Sequence, residues 1–317
     1  MGVSIKDVLY DLIWKPLEPH LASSSKVYLS LSRLLHKISF PALLIDKQWD
    51  IQILGSTRQV LNLNSSSQKK LNIALFGGVD YNFNNKNRSF SSIDKEIKNT
   101  FKRGKFANLK YTENEVKAIK QIFEKYSNKK PMVFLKKEAS EQEFRRLDKN
   151  IYNIIHLATH GFYYNINNLN NASASGLDGE MFINQSSMYR SGILLAGATN
   201  SIRETDIDGV LTAVEISRMD LSKVDLVVLS ACETGLGDVL GSEGVFGLQR
   251  AFKLAGVHSL IVSLWQVPDK QTSELMAQFY HFYLNGIPKT EALKKAQMEV
   301  IKKYPEPFNW AGFVLLE

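Results

Sequence analysis

With 317 residues, the chain is long enough for one large domain, or a large and a small one, with a sizeable hydrophobic core. Its 44% hydrophobic and 22% charged residues are typical of a globular protein, and no apolar run approaches the ~18 residues of a membrane span. Because no such run is present, we expect no membrane partner. The single cysteine excludes an internal disulfide and favours a cytoplasmic location.

The net charge of +7 is concentrated in one stretch. Residues 86–110 hold eight basic residues against Asp94 and Glu96. Such a stretch can dock an acidic partner or a nucleic acid. It is also rich in Asn and Ser and lacks a recognition-helix or aromatic-platform pattern, so we expect a solvated loop and no direct nucleic-acid binding.

The N-terminal part predicts a small subdomain. Its first element is a helix over residues 5–19, broken near its prolines, whose inward side chains are Val8, Leu9, Leu12, Ile13 and Leu17. Short strands are predicted over Val27–Leu31, Leu43–Ile45 and Ile51–Leu54. The Ser-rich stretch Ser65–Gln68 is a plausible boundary, which predicts one domain over 1–68 and a second over 69–317.

The rest of the chain alternates strands with helices. Strands are predicted over Leu71–Gly78, Met132–Leu135, Tyr152–Thr159, Val224–Leu229, Ser259–Trp265 and Trp310–Leu316. Helices are predicted over Glu113–Tyr126, after the N-cap Ser140, over Glu243–Leu254, from the N-cap Asp269 to Leu284, and over Thr290–Lys302. Such alternation indicates an α/β fold with a mostly parallel sheet covered by helices on both faces.

Between His160 and Val224 the sequence predicts a long irregular region. Residues 162–187 are rich in Asn, Ser and Gly. Long loops of this kind beside a site are often functional lids. Arg190, in the more ordered piece that follows, is a candidate substrate contact, although an arginine that stabilises the loop explains it equally well.

Two predicted apolar strands are followed by residues that can take part in catalysis. Cys232, the lone cysteine, follows the strand Val224–Leu229, and His160 follows the strand Tyr152–Thr159. Parallel strands deliver such residues to one edge of the sheet, where open α/β folds bind ligands. A Cys with a His beside it in space is a candidate nucleophile. The alternative for the cysteine is a small buried residue that fills space.

The other nearby polar residues have plainer interpretations. His156 lies four residues before His160, deeper on the same strand, and is interpreted as a core histidine hydrogen-bonded to backbone. Gly161 allows a sharp turn and can donate its N–H to a ligand. His156 and His160 are too far apart on a strand to share one ion, and neither a metal signature nor a nucleotide fingerprint is present, so no metal or other cofactor is expected.

The motifs resemble those of the CHAT domain, a caspase-like cysteine peptidase module of the caspase and separase clan. The two catalytic motifs of that family are similar to His156–Gly161 and Leu229–Gly235. Further similar segments are Met188–Ala198, Asp208–Ile216, Gly241–Gly256, Ser263–Asp269 and Asn309–Leu315, so the resemblance covers nearly the whole chain. His160 and Cys232 are 72 residues apart and Ser230 replaces the Gln of the caspase signature, which argues against caspase-like aspartate specificity.

The resemblance implies a caspase-like three-layer αβα sandwich with a mostly parallel central sheet and a small N-terminal subdomain. It implies a cysteine endopeptidase in which Cys232 attacks the peptide carbonyl and His160 transfers protons. The N–H groups of Gly161 and Cys232 would form the oxyanion hole, and the segment around Trp265 and Asp269 would form the substrate-binding wall.

Two hypotheses from different classes follow. The first is a peptidase acting on a protein substrate, switched on by a sensor protein or domain outside this chain, since CHAT domains commonly follow sensor regions such as helical repeats. The second is a catalytically idle module used for protein–protein interaction. A hydrolase or acyltransferase acting on small molecules has no specific support in the sequence.

Overall fold

The computed structural model describes residues 5–21, 26–62, 71–83, 108–147, 152–163, 188, 191–199, 207–230 and 242–317, with the backbone alone for residues 33, 34, 62, 163 and 242–246. Its strands, in chain order β1 to β11, are Lys26–Ser30, Asp50–Leu54, Ile73–Val79, Met132–Lys136, Ile154–Leu157, Gly161–Tyr163, Ser191–Leu194, Val210–Thr212, Leu226–Leu229, Ser259–Ser263 and Phe313–Leu316. Its α-helices, α1 to α9, are Ile5–Leu9, Glu18–Leu21, Phe40–Leu43, Thr112–Tyr126, Glu141–Arg145, Ala213–Ser217, Ser242–Leu254, Asp269–Leu284 and Lys289–Lys303.

Eight strands form the central sheet, in the order β1-β2-β11-β10-β9-β5-β3-β4. In the part of the sheet β10-β9-β5-β3-β4, every pair of neighbouring strands is parallel. Strand β11 is antiparallel to β10 but parallel to β2. Strands such as β5 and β9 are buried along their whole length, as continuous apolar runs in a covered parallel sheet must be. The predicted mostly parallel sheet is therefore confirmed.

Helices cover both faces of this sheet. One face packs against α4, α8 and α9 through side chains that include Val116, Phe279 and Val300. The other packs against α5, α6 and α7 through side chains that include Phe144, Ile216 and Phe252. The predicted three-layer αβα architecture is confirmed, and the predicted cap of α5 is present, because the Ser140 side chain accepts a hydrogen bond from the Glu143 N–H.

A second, smaller sheet lies in the region that we predicted to be irregular. Strands β6, β7 and β8 form an antiparallel sheet in that order, so the prediction was wrong for these residues. Gly161 and Gly192 look like strand breakers in the sequence, but Gly192 is needed there: a Cβ atom would lie 2.4 Å from the Leu211 carbonyl oxygen. Residues 164–187 of the predicted loop lie outside the described residues, as do residues 86–107 of the basic stretch.

The predicted N-terminal helix has a different course. A π-helical turn over Tyr10–Trp14 follows α1 and rotates the chain, so that Trp14 becomes fully buried. Val8, Leu12 and Leu17, predicted to point inward, are 48%, 73% and 42% exposed. The simple 3.6-residue period on which the prediction rested does not hold across a π-turn.

The strand predicted over Leu43–Ile45 is also absent. Phe40–Leu43 is a short helix with a proline in its first turn, and the residues after it form a turn. Trp14, Phe40, Leu44 and Trp49 pack together in a cluster of their own. Although β1 and β2 join the central sheet through β11, this separate cluster fits the predicted division near residue 68, which stays a prediction.

None of the helices within the described ranges is long and apolar enough to cross a membrane.

Candidate active site

The carboxyl ends of β5 and β9 lie side by side. The two strands are parallel neighbours in which Leu157 is opposite Leu229, and the Ser230 N–H donates to the Leu157 carbonyl oxygen at 3.1 Å. His160 follows Leu157 by three residues, and Cys232 follows Leu229 by the same number. The predicted adjacency of the two strands is therefore present, although Cys232 itself lies outside the described residues.

His160 is held at this edge by groups from two segments. Its side chain is buried, and its ring centroid lies 5.0 Å from that of Tyr81, which follows β3. The His160 N–H donates to the Tyr81 hydroxyl at 3.3 Å, and the His160 carbonyl oxygen accepts from the Leu194 N–H at 2.9 Å. Tyr81 was not among the predicted site residues. Its position could have indicated a role, because it is an aromatic residue two positions after a buried strand, at the sheet edge where the site was predicted.

Gly161 begins β6 and pairs with Ile193 of β7. The neighbouring pair, His160 with Leu194, is bridged by a backbone hydrogen bond. Because bonded and non-bonded pairs alternate in an antiparallel ladder, the Gly161 N–H points away from β7. This orientation leaves that N–H outside the strand ladder, as the role proposed for it below requires.

His156 lies within the core and away from the sheet edge. Its Nε2 atom is 2.8 Å from Glu115 Oε1 of α4, and its Nδ1 atom is 3.3 Å from the Tyr280 hydroxyl of α8. The predicted core position is correct but the predicted backbone partner is wrong, because both ring nitrogens face side chains of the helices that cover this face. Burial raises the pKa of Tyr280 well above its usual value, so the phenol stays protonated and can donate to His156.

Trp265 and Asp269 follow β10, the other neighbour of β9, at the same edge of the sheet. The Trp265 indole donates to the Phe308 carbonyl oxygen at 3.0 Å. A Cβ atom at Gly312 would lie 2.8 Å from a Val267 methyl carbon and 3.1 Å from the Trp265 ring, so a side chain there would have to displace these neighbours. The structure thus fixes the start of the segment that we interpret as a substrate wall.

The predicted capping role of Asp269 is wrong. Pro268 occupies the N-cap position of α8 and offers no side-chain acceptor, while Asp269 is the first helical residue. There its carboxylate lies near the positive end of the helix dipole. Arg190, the other candidate substrate contact, lies outside the described residues.

Within the described ranges, no cluster of three or more His, Cys, Asp or Glu side chains could hold a metal ion.

Comparison with known proteins supports the interpretation of the motifs. A family model described as CHAT domain matches residues 5–317. The chain is 38% identical over 110 residues to tetratricopeptide repeat protein 28 of Mus musculus and to that of Homo sapiens. That match covers 34% of this chain and 4% of each relative, so the chain corresponds to a small part of those proteins.

Solved structures share the fold. The Arg-specific cysteine proteinase gingipain R has a TM-score of 0.55 at 8% identity, with 98% of this chain and 66% of that chain covered. The complex of Porphyromonas gingivalis RgpB pro- and mature domains also has a TM-score of 0.55 at 8% identity, covering 99% of this chain and 71% of that one. At this level of identity the likeness establishes the fold alone.

The buried pair of His156 and Glu115 leads to a stability prediction. His156→Ala should lower the free energy of unfolding by about 3–5 kcal/mol, because it leaves the Glu115 carboxylate buried without its partner. Chemical denaturation followed by fluorescence measures this. The double variant His156→Leu with Glu115→Met should be clearly more stable than His156→Ala, since it removes both polar partners. A His156→Ala protein as stable as the wild type would contradict this account.

Proposed function

The chain belongs to the CHAT domain family, and from that premise we propose that it is a cysteine endopeptidase whose catalytic dyad is Cys232 and His160. One observation carries the proposal: β5 and β9 are register-matched parallel neighbours, and both residues follow them at the same offset. The substrate is a protein, because the clan that the motifs resemble cleaves peptide bonds.

The proposed chemistry needs three groups. The Cys232 thiolate attacks the scissile carbonyl carbon and forms a tetrahedral intermediate. The N–H groups of Gly161 and Cys232 donate to the oxyanion. His160 protonates the leaving amine, which breaks the C–N bond, and then takes a proton from the water that hydrolyses the acyl-enzyme.

The segment from Trp265 to Asp269 would bind the substrate chain. An extended peptide can pair there through its backbone, with side-chain pockets setting the preference. The segment Ser263–Asp269 is similar to one in separase, a clan member that cleaves after arginine. We therefore propose that Asp269 favours a basic residue before the scissile bond, with Arg190 as a further contact.

The second candidate function is an idle module for protein–protein interaction. It is favoured by the curated relatives, which are named for tetratricopeptide repeats and in which the similar region is 4% of the protein. The two functions differ in one measurement. A peptide-based thiol-reactive probe should label Cys232 in the wild type and label His160→Ala far more slowly if the dyad is active.

An activating partner is part of the proposal. We expect a sensor protein or domain outside this chain to bind and stabilise the active arrangement, so that the chain alone has low basal activity. The single cysteine favours a cytoplasmic setting, where thiols stay reduced.

Removing either member of the dyad should abolish peptide cleavage. Cys232→Ala removes the nucleophile but little volume, so we expect a lost turnover and an unchanged unfolding transition. His160→Ala should be nearly as severe. Cleavage of a peptide library by each variant measures this, with His156→Ala as the control that acts through stability. Wild-type turnover by Cys232→Ala would contradict the assignment of the nucleophile.

Asp269→Asn tests the specificity pocket. If Asp269 faces the substrate, kcat/KM should fall selectively for peptides with Arg before the cut, because a charge-assisted hydrogen bond is lost. Matched peptides with Leu or Met at that position should be cleaved as before or faster. An unchanged ranking of the three peptides would mean that Asp269 serves only the start of α8.

A further inference from the structure

We propose that Tyr81 is a positioning residue for His160, which it holds through a closed ring of four hydrogen bonds at the end of β5. The ring is formed by His160, Tyr81, Thr159 and Leu194. Its catalytic consequence rests on the proposed function, whereas the ring itself can be tested without any substrate.

Counting protons fixes the direction of every bond in the ring. The Thr159 hydroxyl donates its one hydrogen to the Leu194 carbonyl oxygen. Thr159 Oγ1 must then accept in its 3.0 Å contact with the Tyr81 hydroxyl, so Tyr81 is the donor there. The Tyr81 oxygen in turn accepts from the His160 N–H, 3.3 Å away.

Leu194 closes the ring. Its N–H donates to the His160 carbonyl oxygen at 2.9 Å. Each of the four residues therefore donates once and accepts once. The three bonds that run from the His160 N–H through the Tyr81 and Thr159 hydroxyls to the Leu194 carbonyl oxygen share one sense, the arrangement in which neighbouring hydrogen bonds strengthen one another. Both backbone groups of His160 are bound within it.

The ring of hydrogen bonds begins where the regular hydrogen-bond ladder of β5 ends. The last bond of ladder type joins the Ala158 N–H to the Phe76 carbonyl oxygen at 2.8 Å, and β5 itself ends at Leu157. Beyond that point the central sheet no longer fixes the backbone of His160. Because Tyr81 and Thr159 are both buried, water does not compete for these hydrogen bonds.

The backbone around Tyr81 is itself held by hydrogen bonds. Its carbonyl oxygen accepts from the Thr199 N–H at 3.0 Å, and the preceding carbonyl, that of Asp80, accepts from the Gly197 N–H at 3.0 Å. The backbone that carries the phenol is thus held by the segment that follows β7. A side chain fixed in this way can set the place of His160 at little entropic cost.

The test compares two fully buried tyrosines. Tyr81→Phe removes the hydroxyl that binds His160, and Tyr280→Phe removes one that binds His156 instead. Both variants lose a buried hydroxyl, so both should unfold at somewhat lower temperature.

Only Tyr81→Phe should speed hydrogen exchange at the His160 amide, and only Tyr81→Phe should lower kcat, by roughly 10- to 100-fold with little change in KM. Thr159→Ser keeps the hydroxyl and should retain both protection and turnover, whereas Thr159→Val should lose both.

Two results would overturn the proposal. One is unchanged protection of the His160 amide in Tyr81→Phe. The other is an equal loss of kcat in Tyr81→Phe and Tyr280→Phe, which would reduce Tyr81 to a general contribution to stability. If the wild type cleaves no peptide even with an activating partner, the proposed function fails, and the exchange measurement alone then decides whether the ring exists.

Discussion

The parallel pairing of β5 with β9 is the constraint on which the candidate site depends. It places Leu157 opposite Leu229 and brings the chain segments that follow both strands to one edge of the sheet. Both strands are fully buried, so a slip of one residue would move every side chain to the opposite face and take His156 away from Glu115 and Tyr280. The register, and with it the relative placement of the two edge segments, is therefore set by the core.

The second layer of organisation is polar and lies beyond the ends of the strands. Strand β3 neighbours β5 on the side away from β9, so the residue two positions after β3 can reach His160. Tyr81 occupies that position, and Leu194, in β7 of the small sheet, donates its N–H to the His160 carbonyl oxygen. Core packing thus sets the position of the sheet edge, and the hydrogen bonds from Tyr81 and Leu194 set the position of His160 at that edge.

The sequence was informative where its signal is local. Apolar runs that end in small or polar residues predicted β5 and β9, and the strand–helix alternation predicted that both end at one edge of a mostly parallel sheet. Partners distant in sequence could not be found in this way: Glu115 and Tyr280 meet His156 only after α4 and α8 pack on one face. The short strands around Gly192 and the π-turn over Tyr10–Trp14 were missed because strands of three or four residues and phase shifts leave no periodic pattern.

We propose that His160 and Cys232 meet at this edge, and the single cysteine allows a direct test. The rate of alkylation of Cys232 by iodoacetamide, followed by mass spectrometry across pH, reports the thiolate alone. An adjacent imidazolium should bring the thiol pKa below its ordinary ~8.5, and His160→Ala should return it toward that value. Identical pH profiles for the wild type and His160→Ala would contradict the account.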